Sequence, residues 1–350
     1  MKTRLLSLAL VAILLFSMTS CFFSNDKEND ETQPPEEKTV LTNAMDLTAE
    51  WNKVSQQNSL VQGCIVVRRA FLEEHPDAVE HFLTEYEASI AYLSTDLDNA
   101  AKMIAENGIF NSAPVAKKAL PNCNVCFLDG TEMKNAMNTY LGILHGIAPA
   151  SVGGKLPADD FYYTRKSEIG TTTAGRAINV YTLNGTTGFG MAKLMNDAKA
   201  GTTTEQYAFS VQTDASNVTA ALLNGSADIA ALPTNAAANV YNKSEGAVVV
   251  LAVNTLGCLY VLTNQNETIT SFEDLRGKTV YVPAQNPTFI FTYLCKQNGL
   301  EVGKDIFINS TTYAQPPALK DAVAAGLVDI AVLPEPMVTI AINTAAAAAK

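Results

Sequence analysis

The chain has 350 residues, of which 47% are hydrophobic and 17% are charged, so it is long enough to form two domains with substantial cores. Its formal net charge is −11 at pH 7. This acidic balance argues against nucleic acid or an anionic membrane surface as a partner, because both repel a negatively charged protein.

The N-terminus has the pattern of an export signal. Lys2 and Arg4 precede an apolar run, Leu5–Phe16, that is too short to span a bilayer comfortably. The following "MTSC" resembles a bacterial lipobox, in which Cys21 receives lipid and becomes the mature N-terminus. We therefore predict a signal peptide over 1–20 and a lipidated Cys21. An ordinary secretory signal with an incidental cysteine is the alternative.

A polar, acidic stretch, "SNDKENDETQPPEEK", follows the lipobox. Such a composition cannot bury a core, so we predict a disordered tether over 21–38. One lipidated terminus anchors a protein without spanning the bilayer. We therefore expect a lipid-anchored protein on the outer face of the cytoplasmic membrane or in the periplasm.

The segment 40–163 predicts few strands and several helices. Residues 40–48 and 63–71 read as strands, and "HPDAVEHFLTEYEASIAYL" reads as a helix with Pro76 at its first position. Apolar residues at helical spacing give this helix one buried face: Val79, Phe82, Leu83, Tyr86, Ile90 and Leu93. The three histidines of the chain lie apart on these segments, where surface or capping roles are more common than catalytic ones.

Five cysteines follow Cys21, in a compartment that permits disulfides. Cys123 and Cys126 form a single "CNVC". Because no second pair of this kind exists, we expect no metal site. Buried thiols and a local disulfide both remain open.

The pattern changes after residues 164–176, "TRKSEIGTTTAGR", which have the composition of a linker. Strands are predicted at 177–183, in "QYAFSVQT" and at 255–264, with loops and helices between them. Strands that alternate with helices in this way indicate an α/β architecture.

A short pattern occurs twice in this region. "GSADIAALP" runs over 225–233 and "GLVDIAVLP" over 326–334. Each follows a helical stretch, so each glycine falls where a helix commonly ends in a left-handed conformation. Each then has a short apolar run typical of a buried strand, which a proline ends. The repeat predicts two α/β lobes of similar build, with a chance match as the alternative.

Four segments resemble the substrate-binding proteins of ABC importers, nearest to the nitrate/sulfonate/taurine-like group: "INVYTLNGTTGFGMAKLM", "SFEDLRGKTVYVP", "GLVDIAVLPEP" and "GCIVVRRAFLEEHPDAVEHFLTEYEAS". The resemblance covers nearly all of 40–345. It implies a two-lobed α/β fold of the type II periplasmic-binding kind, with a ligand cleft between the lobes. It also implies a monomer without cofactor, which delivers a small polar or heteroaromatic ligand to ABC permease and ATPase subunits.

The order of the segments departs from that group, because 40–163 resembles the part that comes last there. We therefore expect a circular permutation. Lobe 1 would comprise 66–163 plus 177–256, and lobe 2 would comprise 39–65 plus 257–350, with 164–176 as an exposed connector. An independent domain at 40–163 is the alternative.

Two similar strands, "GCIVV" at 63–67 and "GCLYV" at 257–261, lie where the chain of that group passes between lobes. We predict that they are antiparallel neighbours, with Cys64 close to Cys258. A disulfide between these two cysteines remains open.

Ligands of open parallel sheets bind beyond the carboxyl ends of the strands. The loops at those positions are polar, and several lead into helices whose free N–H groups can hold an oxyanion. They contain no arginine, which disfavours a typical amino-acid binder. Asp214 and Glu335 could accept from an amine, and Phe189, Phe289 and Tyr313 could stack on a flat ligand. The predicted ligand-binding residues are Asn184, Gly185, Thr186, Thr187, Thr213, Asp214, Thr234, Asn235, Gln285, Asn286, Thr288, Tyr313, Gln315 and Glu335.

Two other classes of function compete with transport. An enzyme on the same fold is disfavoured, because the predicted cleft loops contain no histidine, no cysteine cluster and no Ser-His-Asp candidate. A ligand-sensing or adhesion lipoprotein without a transporter fits the same sequence. A permease and an ATPase encoded beside the protein would favour transport.

Overall fold

The computed structural model describes residues 40–349, which belong to one compact unit. The predicted signal peptide, the lipidated Cys21 and the tether lie outside the described residues. Within 40–349, the short apolar runs form eleven strands in two sheets.

The larger sheet has six strands, and we call this sheet and the helices packed on it lobe 1. In spatial order its strands are β3 (Val125–Leu128), β7 (Val248–Leu256), β2 (Val61–Arg68), β6 (Ile229–Pro233), β4 (Ile178–Leu183) and β5 (Tyr207–Gln212). β2 is antiparallel to both of its neighbours, whereas β6, β4 and β5 are mutually parallel.

The smaller sheet, with its helices, is lobe 2. Its order is β1 (Thr42–Asp46), β8 (Leu259–Thr263), β11 (Ile330–Pro334), β9 (Thr279–Tyr281) and β10 (Phe307–Asn309). β8 is antiparallel to both neighbours, and β11, β9 and β10 are parallel. The five strands from β7 to β5 in lobe 1 have this same arrangement, so the predicted α/β architecture with two lobes of similar build is confirmed.

Helices connect the strands and cover both sheets. They are α1 (Leu47–Val54), α2 (Arg69–Glu74), α3 (Pro76–Thr95), α4 (Leu97–Glu106), α5 (Ala113–Ala119), α6 (Gly130–Ile147), α7 (Thr186–Phe189), α8 (Ala192–Ala200), α9 (Ala215–Asn224), α10 (Thr234–Lys243), α11 (Asn286–Gln297), α12 (Pro316–Ala324) and α13 (Met337–Ala348). Among residues 40–349, no helix has both the length and the hydropathy needed to cross a membrane.

The repeated pattern forms the equivalent strands β6 and β11. Gly225 and Gly326 both have positive φ, 82° and 72°, after α9 and α12. The aspartate of each copy accepts, through its backbone oxygen, from the end of the antiparallel strand beside it: Arg68 N to Asp228 O at 2.8 Å, and Asn264 N to Asp329 O at 3.0 Å. The repeat is therefore a structural unit that positions the central strand of each lobe.

Residues 40–163 do not form an independent domain, because β1 lies in lobe 2 and β2 and β3 lie in lobe 1. The apolar face of α3 is buried as predicted. Phe82 and Tyr86 share one core cluster with Ile178 and Phe189 of lobe 1.

The predicted pairing of the two "GC" strands is wrong. β2 pairs with β6 and β7 in lobe 1, whereas β8 belongs to lobe 2. The predicted strand 255–264 is also interrupted, at Gly257–Cys258, because the chain passes from one sheet to the other there. Cys64 and Cys258 are both buried and free. The proposed lobe boundary between 65 and 66 falls inside β2, so residues 61–65 lie in the sheet of lobe 1.

The segment 164–176 has no helix or strand, but it is not the weakly held connector that we expected. Arg165 Nε lies 3.0 Å from Glu80 Oε2, and Arg176 Nη1 lies 2.7 Å from Asp228 Oδ2. The Ala174 N–H donates to the buried carboxylate of Glu205 at 3.1 Å. Ion pairs thus fasten the segment to lobe 1 at both of its ends, where composition alone indicated only polarity.

His81 ties the middle of this segment to α3. Its Nδ1 lies 2.7 Å from Glu205 Oε1 and its Nε2 lies 3.0 Å from Gly170 O, so both ring nitrogens face acceptors and the imidazolium satisfies both. Burial lowers the pKa of His81, but the bonds to Glu205 and Gly170 and the charges of Glu205 and Glu85 outweigh it, so the pKa is raised.

We expect His81→Gln to lower the free energy of unfolding by about 1–2 kcal/mol at pH 5.5 and by less at pH 8.5. A raised pKa gives stability that is fully present below the unfolded value of 6.5 and is lost as the pH rises through the folded value. Urea unfolding at both pH values measures this. His145→Gln is the control, because that ring meets one carbonyl oxygen at 3.3 Å. If the free energies of unfolding of the wild type and His81→Gln differ by the same amount at both pH values, the prediction is wrong.

Candidate ligand-binding cleft

Six helices begin at the carboxyl ends of the parallel strands, three in each lobe. In lobe 1, α7, α9 and α10 follow β4, β5 and β6; in lobe 2, α11, α12 and α13 follow β9, β10 and β11. The first turn of a helix exposes backbone N–H groups that have no partner within the helix. The fold therefore places a set of such donors at the carboxyl edge of the parallel strands in each lobe.

Two of these helix starts are already capped by the acidic residues that we considered as ligand acceptors. Asp214 Oδ1 accepts from Ser216 N at 2.7 Å at the start of α9. Glu335 accepts from Thr339 N at 3.1 Å and from Thr339 Oγ1 at 3.0 Å in the first turn of α13. Burial raises the pKa of Glu335, and bonds from Thr339 and Asn122 counteract it only in part. Both carboxylates therefore already accept hydrogen bonds from their own helices.

The helices α10 and α11 begin without a side-chain cap. They belong to different lobes, and a hydrogen bond joins their first turns: Nδ2 of Asn286 donates to Oδ1 of Asn235 at 2.6 Å. Asn235 also donates through Nδ2 to the backbone oxygen of Ser151 at 3.4 Å. Two uncapped helix N-termini therefore lie beside the same bridge between the lobes.

Four side chains, which we call the buried seam, lie at or next to the point where the chain passes between the lobes: Cys64, Thr186, Thr234 and Cys258. Thr234 lies beside the thiol of Cys64 and Thr186 lies beside that of Cys258, and Thr234 Oγ1 is buried without a hydrogen-bond partner. Burial raises the pKa of both thiols to about 12, so neither is a nucleophile at neutral pH. The site therefore offers hydrogen bonds rather than covalent chemistry.

A groove of about 730 Å³ opens beside the Asn235–Asn286 bridge, between α9 and α10 of lobe 1 and the start of α11. None of the described residues that line it is charged. They are Ala148, Ala150, Ser151, Ala215, Ser216, Thr219, Ala220, Leu223, Asn235, Ala236, Asn239, Val240, Gln285 and Phe289. Among residues 40–349, no group of three or more histidine, cysteine, aspartate or glutamate side chains could hold a metal ion.

The structure brings some of the predicted ligand-binding residues together and separates others. Asn235, Gln285 and Asn286 meet at the groove, and Thr186 and Thr234 belong to the buried seam. Thr187 accepts from Asn254 through its backbone oxygen, Gly185 has φ 88° before α7, and Thr288 Oγ1 donates to Pro283 O at 2.8 Å. Asn184, Thr213 and Gln315 are exposed, and none of them lines the groove.

Of the three aromatic residues expected to stack on a ligand, Phe289 alone lines the groove. Phe189 is fully buried in the core of lobe 1, and Tyr313 lies 5.9 Å from the ring of Tyr281 in lobe 2. Sequence reasoning missed Ser151 and Asn239. Ser151 belongs to a turn after α6 that carries no strand-end signal.

Comparison with known proteins gives one family. Residues 189–349 match the model of a family described as "ABC transporter, phosphonate, periplasmic substrate-binding protein". The match covers slightly less than half of the chain. It contains the starts of α9, α10 and α11 and both copies of the repeated pattern. The expected class, a transporter binding protein outside the cytoplasm and not an enzyme, agrees with the family. The match does not extend to the nitrate/sulfonate/taurine-like group.

One solved structure also shows similarity, an ABC transporter from Parabacteroides distasonis. It is 22% identical over 48% of this chain, with a TM-score of 0.34, and the match spans 55% of that chain. At that TM-score the likeness carries no argument. The curated proteins contain no match.

Proposed function

We propose that the chain is an extracytoplasmic solute-binding lipoprotein that captures a small polar ligand and delivers it to an ABC importer. One observation carries the proposal: two lobes of equal strand order meet where α10 and α11 begin without side-chain caps. The match of residues 189–349 to the model of a periplasmic substrate-binding family supports the transport role. Lipidation of Cys21, a tether over 21–38 and partnership with a permease and an ATPase belong to the same proposal.

The ligand that fits this site has an oxyanion group. Uncapped helix N-termini supply N–H donors and partial positive charge, which together bind anions without an arginine. The carboxylates of Asp214 and Glu335 have partners within their own helices. This favours a phosphonate, phosphate ester or sulfonate over a ligand recognised through its amine.

A circular permutation relative to the nitrate/sulfonate/taurine-like group remains part of the proposal. In support, β1 near the start of the described residues pairs with β8 of lobe 2. Leu41 also shares a core cluster with Ala341 and Ala345 of α13. The two ends of the described residues therefore belong to the same core cluster, as a permutation requires.

Thermal-shift and calorimetric titration of residues 22–350 test the proposal. The panel is phosphate, methylphosphonate, methanesulfonate, taurine, nitrate and cytosine. We expect at least one oxyanion to bind with one site per chain and to raise the melting temperature by mass action. Turnover of the bound compound, or no binding by any member, would refute the binding role. Ligand-dependent stimulation of the cognate ATPase then separates transport from sensing.

We expect Asn286→Ala to weaken the bound oxyanion about tenfold, because the variant loses the bridge to Asn235 that aligns α10 with α11. Calorimetric titration measures the change. Gln297→Ala is the matched control, since Gln297 is exposed at the far end of the same helix. Equal affinities of the two variants would place the ligand elsewhere.

A further inference from the structure

Four asparagines of the chain are each followed directly by a glycine: Asn107, Asn184, Asn224 and Asn298. An asparagine deamidates when the backbone nitrogen of the next residue attacks the carbonyl carbon of its side chain. Glycine permits this attack most readily, because it has no Cβ to obstruct the approach and its backbone is conformationally free. The dipeptide alone does not rank the four pairs, so their surroundings in the fold decide which one reacts.

The glycine nitrogen that must attack is unengaged in one of the four pairs. In the other three it already donates to a backbone oxygen: Gly108 N to Ala105 O at 3.0 Å, Gly185 N to Ile109 O at 3.0 Å and Gly299 N to Lys296 O at 3.2 Å. Gly225 follows α9 with φ 82°, and its N–H has no hydrogen-bond partner among residues 40–349. The nucleophile is therefore available beside Asn224 and held beside the other three asparagines.

The side chain of Asn224 is arranged to accept the attack. Its Oδ1 accepts a hydrogen bond from Ser226 N at 2.9 Å. Such a donor polarises the carbonyl group and stabilises the negative charge that the oxygen gains when a nitrogen adds to the carbon. Both Asn224 and Gly225 are exposed, so water reaches the reacting atoms. Asn224 is also the last residue of α9, where fraying frees the backbone without unfolding of lobe 1.

The other three asparagines are less open to the reaction. Asn107 is buried, and its Nδ2 donates to three oxygen atoms. Nδ2 of Asn298 donates to Leu294 O at 2.8 Å. Asn184 is exposed, and the bond made by the nitrogen of its glycine is what protects it. Asn184 is therefore the nearest competitor of Asn224.

We propose that Asn224 is a site of spontaneous deamidation, a covalent modification that needs water alone. The nitrogen of Gly225 loses its proton to solvent and forms a bond to Cγ of Asn224. The bond from Cγ to Nδ2 breaks, and Nδ2 leaves as ammonia. Water then opens the resulting cyclic succinimide at either of its carbonyl groups, which gives aspartate or isoaspartate at this position.

The product carries a carboxylate at the C-terminal end of α9, next to Leu223 in the wall of the groove. A negative charge is unfavourable there, because the helix already has a partial negative charge at this end. The isoaspartate form also adds a methylene to the backbone in the turn that leads to β6. This inference goes beyond the proposed function, since the modification does not depend on what the chain binds.

Incubation of the purified protein in mildly alkaline buffer, followed by peptide mapping with mass spectrometry, measures the reaction at all four pairs. We expect Asn224 to deamidate about fivefold faster than each of the other three, the factor by which one protecting hydrogen bond slows the attack. In concentrated urea the four rates should become similar, because the protecting bonds are lost. The three other pairs thus serve as internal controls.

Two variants identify the fastest reaction. Asn224→Gln should remove it, because the longer side chain closes a ring far less readily. Asn298→Gln is the matched control, at an exposed position after α11, and should leave the rate at Asn224 unchanged. Asn224→Asp carries the charge of the product, so it should elute in ion-exchange chromatography with the acidic species that forms in the aged wild type.

Three outcomes would overturn the inference. One is faster deamidation at Asn184 than at Asn224 in the folded protein. Another is the same ranking of the four pairs in urea, because the selection would then come from neighbouring residues and not from the fold. The third is an unmodified Asn224 under conditions that deamidate the unfolded chain. None of these outcomes concerns ligand binding, so the proposed function stands or fails on its own experiment.

Discussion

Asp228→Asn should lower the free energy of unfolding by about 3 kcal/mol, because it leaves two arginines beside an uncharged, buried amide. Asp228 is fully buried and accepts from Arg68 Nη2 at 3.1 Å, from Arg176 Nη1 at 2.7 Å and from Asn179 N at 3.0 Å. These bonds join the ends of β2, β4 and β6 to the linker segment. Urea unfolding at pH 7 measures the loss.

The same variant has a defined dependence on pH. Burial raises the pKa of Asp228, but the bonds from Arg176, Asn179 and Arg68 and the charge of Arg176 outweigh it, so the pKa is lowered. A lowered pKa gives stability that is present above the unfolded value of 3.8 and is lost as the pH falls through the folded value. The difference in the free energy of unfolding between the wild type and Asp228→Asn should therefore become smaller below about pH 4.

Asp329→Asn is the matched control, because Asp329 holds the equivalent place in the second copy of the repeated pattern. Its carboxylate is exposed and accepts from Asn264 Nδ2 at 2.6 Å. We expect a loss of less than about 1 kcal/mol. Equal losses at Asp228 and Asp329 would show that the aspartate acts through local strand geometry and not through its ion pairs.

The repeated pattern shows what the sequence alone could predict. Glycine after a helix, an apolar run and a terminating proline are local signals, and they correctly indicated β6 and β11 in two similar lobes. The different surroundings of Asp228 and Asp329 depend on Arg68 and Arg176, which are distant in the sequence. No spacing rule connects a carboxylate to such partners.

The failed strand pairing has a related cause. "GCIVV" and "GCLYV" have the same local character, and nothing in either shows that the chain changes sheets at Gly257. A Cβ at Gly257 would clash with Thr48 Oγ1 and with Leu60 Cδ2. The glycine therefore marks a close approach of chains at the crossing, which becomes visible only in three dimensions.

Sequence reasoning found part of the candidate site, and there is a physical reason why it did. Loops at the carboxyl ends of parallel strands converge, which brought Asn235, Gln285 and Asn286 together. Asp214 belongs to a similar loop, but its carboxylate accepts a hydrogen bond from the backbone N–H of Ser216 and caps α9. Ser151 reaches the groove from a turn after α6, so strand-end reasoning could not find it.

Trp51→Ala should lower the free energy of unfolding by about 4 kcal/mol, because it removes a fully buried aromatic residue and leaves a cavity. Its ring centroid lies 4.9 Å from that of Tyr293 on α11 and 6.0 Å from that of Tyr140 on α6, and Nε1 donates to Ser59 Oγ at 2.8 Å. Unfolding followed by circular dichroism measures the loss. Trp51→Phe keeps a ring at this position and should lose about half as much.

Trp51 also reports on the cleft, because it is the sole tryptophan of the chain. It packs on Tyr293, in the same helix that begins at Asn286, while Tyr140 lies on α6, which contacts α10 of lobe 1. A ligand that alters the contact between α10 and α11 should therefore shift the emission of Trp51, and Asn286→Ala should weaken the ligand dependence by the same tenfold factor as the calorimetric affinity. Tight binding with unchanged emission would place the ligand away from the start of α11.

The stability measurement has its own contrary outcome. A loss below about 1 kcal/mol in the free energy of unfolding for Trp51→Ala would show that the contact among α1, α6 and α11 contributes little to the folded state.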